Sequence, residues 1–318
     1  MAELHWHRHA MLNRLQSLLL LGVMAGFMAL LGRLLWGGDA AFWLMMLGVL
    51  VLLFNPVAAP QLVMRMYRAQ PLKPQQVPAL YAALEELARR AGLPRVPTLY
   101  YVPSRMVNAF AVGSREDAAI AVTDGLLRTL DTREATGVLA HEISHIRNGD
   151  MWVMGIADLF SRLTSLFSLF GQFLLLLNLP LLMMANTGIN WFAILILIFA
   201  PNLSALAQLG LSRTREYDAD LNAALLTGDP EGLARALVKI EKEQGTLLER
   251  VFLPGRRIPE PSLLRTHPPT EERVRRLMEL RLPDDRKPLS LSAEPLAQGG
   301  LQQPVQRPPH WHLSGLWH

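Results

Sequence analysis

Long runs of apolar residues divide the chain into membrane-like and water-soluble parts. Residues 15–32 and 40–64 lack any charged side chain over 18 and 25 positions, and residues 163–212 lack Asp, Glu, Lys, Arg and His over 50 positions. A helix needs about 20 apolar residues to cross a hydrocarbon core about 30 Å thick. The pattern therefore predicts four transmembrane helices, the last two of them joined by a turn at residues 185–188.

The positive residues that flank these runs predict the orientation of the chain. Those on one side are Arg8, Arg14, Arg65, Arg68, Lys73, Arg147, Arg213 and Arg215, and the other side has Arg33. Lys and Arg accumulate on the cytoplasmic side of membrane proteins, so both termini and every large polar segment are predicted to be cytoplasmic. A signal peptide is the alternative for residues 15–32. A second run follows without a small-residue cleavage site, which favours a retained anchor.

Five segments follow from this division. They are a membrane anchor with two transmembrane helices at 1–65, the first half of a folded domain at 66–162, a transmembrane hairpin at 163–212, the second half of that domain at 213–282, and a disordered Pro- and Gln-rich tail at 283–318. The two halves must meet across the hairpin to form one domain.

Local periodicity predicts the elements of that domain. Helical patterns cover residues 77–91, 213–226, 230–248 and 268–281, and β-type runs cover residues 97–102, 108–112 and 118–122. Asp131 and Glu134 have the spacing of a capping box, which predicts the start of a further helix. The predicted fold class is α+β, mainly helical with a small sheet, combined with four transmembrane helices.

The composition excludes several functional classes. Of 318 residues, 51% are hydrophobic and 18% are charged, against about 25% charged in soluble proteins. The net charge of +4 provides no basic stripe for a phosphate backbone, so no nucleic-acid partner is expected. Because the chain has no cysteine, any metal must be held by His, Asp or Glu.

One motif carries specific chemistry, namely His141, Glu142 and His145 in the run His-Glu-Ile-Ser-His. Residues four apart on a helix point the same way, so both imidazoles can reach one metal ion. Neutral imidazoles bind Zn²⁺, which lowers the pKa of a bound water to about 7, and a nearby carboxylate takes the proton. The motif predicts a zinc site with Glu142 as catalytic base, against the alternative of two surface histidines on an ordinary helix.

A catalytic zinc usually has a third protein ligand. A third histidine six residues after the second is absent, since that position is Met151. Glu216 and Asp220 lie four residues apart and share a helical face, so one can bind zinc and the other can hold a ligand histidine. A solvated charged face is the alternative. The position of Glu216 just after the fourth apolar run, on the predicted side of the histidines, favours the metal site.

Four segments together resemble the HtpX-type membrane metalloproteases, which share a gluzincin family with the CAAX prenyl proteases. The segments are residues 108–111, 141–150, 212–220 and 266–274. The resemblance implies one Zn²⁺ per chain on His141, His145 and Glu216, with Glu142 as base and Asp220 in support. It also implies proteolytic quality control of misfolded membrane proteins at the bacterial inner membrane, with polypeptides and the lipid bilayer as partners.

Two further sets of residues are candidates for substrate binding and catalysis. Asn108, Ala109 and Phe110 are predicted to form an edge strand that pairs with an extended substrate by β-addition, and an interior strand is the alternative. His267 is a candidate donor to the tetrahedral oxyanion, or else the first residue of the helix that begins at Pro268.

Three other polar residues have less specific assignments. Tyr217 and Arg213 are alternative oxyanion donors. Asn148 lies one turn beyond His145, where it either supports the site or caps the helix.

The leading hypothesis is a membrane zinc endopeptidase with a cytoplasmic site. The alternative enzyme hypothesis is a processing protease for one substrate class, such as proteins with a lipidated C-terminus. A silent membrane scaffold or transporter is the alternative outside the enzymes. The presence of His141, Glu142, His145 and Glu216 argues against a catalytically silent protein. The lack of ionisable residues in the 163–212 hairpin argues against an ion path. The sequence does not predict the oligomeric state.

Overall fold

The protein is described from a computed structural model, which covers residues 2–36, 60–184, 191–244, 268–280 and 289. Four of the predictions lie wholly or mostly outside these residues: the apolar run at 40–64, the turn at 185–188, the position of His267 and the disordered tail at 283–318. The last five residues of the second apolar run form part of a short helix, given below.

Helices dominate the described residues. They are α1 (Ala2–Trp36), α2 (Pro60–Met66), α3 (Pro78–Ala91), α4 (Asp124–Thr129), α5 (Thr132–Asn148), α6 (Asp150–Met184), α7 (Trp191–Thr227), α8 (Pro230–Gln244) and α9 (Thr270–Glu279). The strands are β1 (Gln70–Pro71), β2 (Thr98–Val102), β3 (Ala109–Gly113) and β4 (Ala118–Thr123). The mainly helical α+β class with a small sheet is confirmed.

The sheet has the order β1-β2-β4-β3. Strands β2 and β4 are parallel, with Leu99 opposite Ile120, and β3 is antiparallel to β4, with Phe110 opposite Ala121. Within the described residues β3 therefore has a neighbour on one side only. Among the described strands it lies at the edge of the sheet, the position that was predicted.

Helix α5 lies at the centre of the domain, and its ends follow from its sequence. At the start, the Asp131 carboxylate accepts from the Glu134 amide at 2.8 Å, and the Glu134 carboxylate accepts from the Asp131 amide at 3.0 Å. This reciprocal pair is the predicted capping box. At the other end Gly149 adopts a left-handed conformation with φ of 69°, which is favourable for glycine and ends the helix.

The core of the domain forms around α5. Its buried Leu139, Ile143 and Ile146 belong to one cluster with residues of α3, β4, α7 and α8. Helix α8 comes especially close, because a Cβ atom at Gly137 would lie 2.9 Å from the backbone of Leu233. These four elements thus pack around α5, which carries the His-Glu-Ile-Ser-His motif.

Two described helices are long and apolar enough to cross a membrane, at Asp150–Pro180 in α6 and Ile194–Thr227 in α7. In α1 the apolar segment is shorter, at Leu15–Leu30. The predicted number of four spans is therefore not confirmed. Large apolar side chains are exposed on all three helices, including Leu15, Leu18, Leu19, Leu166, Leu169, Phe173, Leu195, Phe199 and Leu203. This exposure suits contact with lipid chains.

Residues 213–226 are helical, as predicted, and they continue the helix of the apolar run, because α7 extends unbroken from that run into the folded domain. No Gly or Pro occurs between Arg213 and Thr227, so nothing in the local sequence breaks the helix where it becomes polar. Likewise α6 begins at Asp150, well before the apolar run at 163–212. Both helices therefore connect the apolar run at 163–212 directly to the folded domain.

A proline within α7 is accommodated by a side chain of α6. Pro201 has no N–H, so the carbonyl of Leu197 loses its helical hydrogen bond. The hydroxyl of Ser168 donates to this carbonyl, and the amide of Gln172 donates to the Ser168 oxygen at 2.9 Å. Neighbouring side chains commonly satisfy such freed carbonyls in membranes. Ser168 of α6 therefore bonds to α7 at the carbonyl that Pro201 leaves without a helical partner.

Replacing this hydroxyl is expected to weaken the hairpin. Ser168→Ala leaves the Leu197 carbonyl without a donor and should lower stability by about 0.6–1.7 kcal/mol, the range for hydrogen bonds between membrane helices. The thermal unfolding midpoint in detergent would measure this loss. Ser165→Ala is the matched control, because the Ser165 hydroxyl bonds only within its own helix, to Ser161. Equal midpoints for the two variants would contradict the role of Ser168.

Candidate metal centre

Three side chains from two helices converge on one point. His141 and His145 lie one turn apart on α5, and their Nε2 atoms are 3.1 Å apart. Glu216 of α7 approaches both, with carboxylate oxygens 3.4 Å from His141 Nε2 and 3.5 Å from His145 Nε2. All three residues are buried, and their donor atoms lie within 4.8 Å of one another. The structure thus brings together the three predicted metal ligands.

The Nδ1 atom of each histidine, which faces away from the site, contacts a carboxylate. Asp220, one turn after Glu216 on α7, lies with Oδ1 at 3.0 Å from His141 Nδ1. Asp150, the first residue of α6, lies with Oδ2 at 2.7 Å from His145 Nδ1. A carboxylate that accepts from Nδ1–H fixes the tautomer and turns Nε2 towards the site. Asp220 occupies its predicted position, whereas sequence reasoning missed Asp150.

Two buried arginines complete the network, and neither was predicted. Arg273 of α9 donates to both oxygens of Asp220, at 2.7 and 2.6 Å, and its Nη1 lies 3.4 Å from a Glu216 oxygen. Arg215 of α7 donates from Nε to Asp150 at 2.6 Å. A buried charge is stable only when it is paired. The arginines therefore stabilise the carboxylates that orient the histidines.

The charges of this network fit a divalent cation. The carboxylates are Glu142, Asp150, Glu216 and Asp220, and the guanidinium groups are those of Arg215 and Arg273. Two negative charges remain uncompensated when both histidines are neutral. Burial lowers the pKa of His141, but Asp220 and Glu216 outweigh it and raise that pKa to about 9. The ring nitrogens thus lie in a strongly negative potential, which favours a bound cation.

Glu142 lies next to His141 and has a carboxylate oxygen in the candidate metal site that is free among the described residues. Its side chain is buried next to His141, and its Oε2 has no hydrogen-bond partner among the described residues. A buried carboxylate oxygen without a donor is costly unless a ligand or a metal meets it. Two imidazoles, one carboxylate ligand and a second, unengaged carboxylate form the donor set of a catalytic zinc site. The residues present therefore fit Zn²⁺.

Comparison with known proteins identifies the family. A family model described as peptidase family M48 matches residues 74–281. The chain is 37% identical to a protease HtpX homolog of Acaryochloris marina over 296 residues, which cover 87% of this chain and 98% of that protein. The chain belongs to peptidase family M48. The M48 peptidase is also 34% identical to a protease HtpX homolog of Pyrococcus furiosus, over 82% of this chain and 94% of that protein.

Family membership makes the chain a membrane-associated metalloprotease, with zinc as the cofactor that the metal site fits. Among solved structures, the M48 peptidase is similar to S. mikatae Ste24p, with a TM-score of 0.43 and 20% identity. That similarity covers 85% of this chain and 66% of the other. Membership in the family rests on the sequence comparisons alone.

Three other predicted residues of the M48 peptidase, Asn148, Tyr217 and Arg213, lie on the two helices that form this centre. The amide of Asn148 donates to Asp218 of α7 at 3.0 Å. This hydrogen bond joins α5 to α7, and its acceptor is not a ligand histidine. Tyr217 lies under the guanidinium of Arg276, 3.8 Å from the ring centroid, and Arg213 lines the same cavity as Tyr217. His267 lies outside the described residues, so the oxyanion donor stays a prediction.

The predicted substrate strand lies beside the metal helix. Helix α5 packs against β3. The Asn108 amide donates to Thr123 Oγ1 at 3.0 Å, and the Asn108 carbonyl accepts from the same hydroxyl at 2.9 Å. Phe110 is buried and contacts the ring of Tyr67 with centroids 5.0 Å apart. Asn108, Ala109 and Phe110 are therefore held firmly on one side by β4, with the far edge of β3 beyond them.

Proposed function

We propose that the chain is an integral membrane zinc endopeptidase whose zinc is held by His141, His145 and Glu216. The observation that carries this proposal is the convergence of the three donors from both sides of the membrane hairpin. Each histidine also has a carboxylate behind it, from Asp220 and Asp150. A hydrogen bond from the second ring nitrogen to a carboxylate is a regular feature of zinc-binding histidines.

In the proposed mechanism Glu142 moves the proton. Zn²⁺ bound at such a site polarises the scissile carbonyl and makes a nearby water more acidic. Glu142 accepts the proton of the attacking water and gives it to the leaving amine nitrogen. Asp150 and Asp220 keep both imidazoles in the tautomer that presents Nε2. Arg273 compensates Asp220, so that its negative charge can remain buried.

We propose further that an extended substrate pairs with β3 through its backbone, along Asn108, Ala109 and Phe110. Support comes from the edge position of β3 and from its packing beside α5. Recognition through main-chain hydrogen bonds tolerates many side chains. This favours broad proteolysis, as in the quality control of misfolded membrane proteins, over the processing of one defined substrate class.

Metal analysis and casein cleavage together test the proposed function. Detergent-purified protein is expected to contain one zinc per chain and to cleave casein. A chelator should remove both the zinc and the cleavage, and added zinc should restore them. Cleavage by the metal-free protein would contradict the mechanism. A zinc-loaded protein that cleaves neither casein nor unfolded membrane proteins would favour the silent scaffold.

The proposed topology places the metal centre and both termini in the cytoplasm of a multi-pass protein of the cell membrane. Reporter fusions after Lys73, Asn186 and Lys242 should report the cytoplasm, the opposite side and the cytoplasm. The ligands lie on both sides of the hairpin in sequence, so the first and third reporters must agree. Opposite locations for Lys73 and Lys242 would contradict a shared site. If the reporters after Lys73 and Lys242 were both on the outer side, the enzyme assignment would stand, and its substrates would be expected on the outer side.

A further inference from the structure

A cavity next to the metal centre lies where α1, α7 and α9 meet. It has a volume of about 430 Å³, within the range of about 300–1,000 Å³ typical of small-molecule sites. Arg213 and Tyr217 of α7, Arg276 of α9 and Gln16 of α1 provide its polar wall, and Leu277 and Leu280 contribute apolar surface. One part of the lining therefore suits an anion and another part suits hydrocarbon.

The polar wall carries excess positive charge. Arg276 and Arg275 share a single carboxylate, that of Glu272, at 2.8 and 3.4 Å. Arg213 is exposed and has no ion-pair partner among the described residues. The carboxylate that also lines the cavity, Asp220, already accepts from both donor nitrogens of Arg273. An anion in the cavity thus meets two guanidinium groups and a compensated carboxylate.

The cavity lies at the level where the chain leaves the membrane. Arg213 is the first ionisable residue after the apolar run at 163–212, and Arg at such a position lies among the lipid headgroups. On α1, Gln16 lies beside the exposed Leu15, Leu18 and Leu19. A ligand bound here can therefore have its charged group on the arginines and its chains along α1.

We propose that this cavity binds the phosphodiester headgroup of an anionic membrane lipid. Arginine binds phosphate oxygens through charge-assisted, often bidentate hydrogen bonds, and the apolar surface beside it accepts the start of the acyl chains. The bound lipid contacts α1, α7 and α9 together. Because α9 also carries Arg273, the lipid stabilises the helix that holds Asp220 behind His141.

Lipid binding to the full-length protein in detergent tests the proposal. Native mass spectrometry would compare phosphatidylglycerol with phosphatidylcholine, and phosphatidylglycerol is expected to bind more tightly. Each basic residue near an anionic surface contributes about 1 kcal/mol, which corresponds to about fivefold in affinity. Arg213→Gln and Arg276→Gln should each weaken phosphatidylglycerol binding about fivefold. Arg213→Lys should retain most of the affinity, because it keeps the charge.

The matched control is Arg65→Gln, which removes an exposed arginine beside another predicted membrane run, outside the cavity. It should leave the affinity unchanged. Equal weakening by Arg65→Gln and Arg213→Gln would overturn the site in favour of diffuse surface charge. Equal binding of phosphatidylglycerol and phosphatidylcholine would contradict recognition of an anionic headgroup. Displacement of phosphatidylglycerol by inorganic phosphate, beyond that caused by chloride at the same ionic strength, would instead assign a site for free anions. Arg276→Gln keeps the test valid if Arg213→Gln does not fold.

Discussion

Glu142→Gln is expected to keep its zinc and to lose activity by about 10²- to 10⁴-fold in kcat, the usual contribution of a general base. The substitution removes the proton acceptor, and it leaves His141, His145 and Glu216 unchanged. Gln has nearly the same shape as Glu, so the buried pocket beside His141 should stay filled. Zinc content per chain and casein cleavage, measured on the same preparation, would separate the two effects.

The control for this variant is Glu85→Gln, which makes the same chemical change on the exposed face of α3. It should leave both zinc and cleavage at the wild-type level. A Glu142→Gln protein that cleaves casein at near wild-type rate would remove Glu142 from the mechanism. Loss of zinc together with activity would instead make Glu142 a structural support of the metal site.

The candidate metal ligands could be predicted, the two histidines from a local signal and Glu216 from a global one. The i and i+4 spacing of His141 and His145 is a property of any helix, and the capping box at Asp131 places that helix correctly. Glu216 could be predicted from one global condition, that a hairpin returns the chain to the same side of the membrane. Neither inference required knowledge of how distant helices pack.

The supporting residues could not be predicted, because their roles depend on packing between distant parts of the chain. Asp150 follows a helix-ending glycine and Arg215 lies in a run of charged residues, so both have the pattern of solvated surface. Arg273 occurs in a polar helix, and only the packing of α9 against α7 brings it to Asp220. Alternation of polar and apolar residues does not distinguish a buried charge pair from an exposed one.

The pattern of residues alone did not determine strand order or helix continuity, and an interior strand at 108–112 stayed an open alternative to the predicted edge strand. The run at 108–112 has the composition of a strand, but its edge position depends on β4, which inserts between β2 and β3. The change from apolar to charged residues at Arg213 predicts where the chain leaves the membrane. It does not predict a break in the helix, since backbone hydrogen bonds continue across the interface in α7.

Glu216→Ala is expected to lose zinc and activity together, in contrast to Glu142→Gln. The substitution removes one of three ligands and leaves the Nη1 atom of Arg273, at 3.4 Å from the lost carboxylate, without that partner. Asp220→Ala should weaken zinc binding by a smaller factor of about 10–100, because it removes the acceptor of His141 Nδ1 and the partner of Arg273 but no metal ligand. Zinc titration of the metal-free proteins would rank the two variants.

The ranking distinguishes a ligand from a support, since both carboxylates lie on one face of α7 and both contact Arg273. Asp220→Asn adds a sharper comparison, because it keeps an oxygen acceptor for His141 Nδ1 and removes the charge. If orientation of the imidazole is what Asp220 provides, Asp220→Asn should bind zinc more tightly than Asp220→Ala. Glu241→Ala, on the exposed side of α8, should bind zinc like wild type. A Glu216→Ala protein with normal zinc affinity would require a third ligand other than Glu216, and the most direct candidate would then be Asp220 itself.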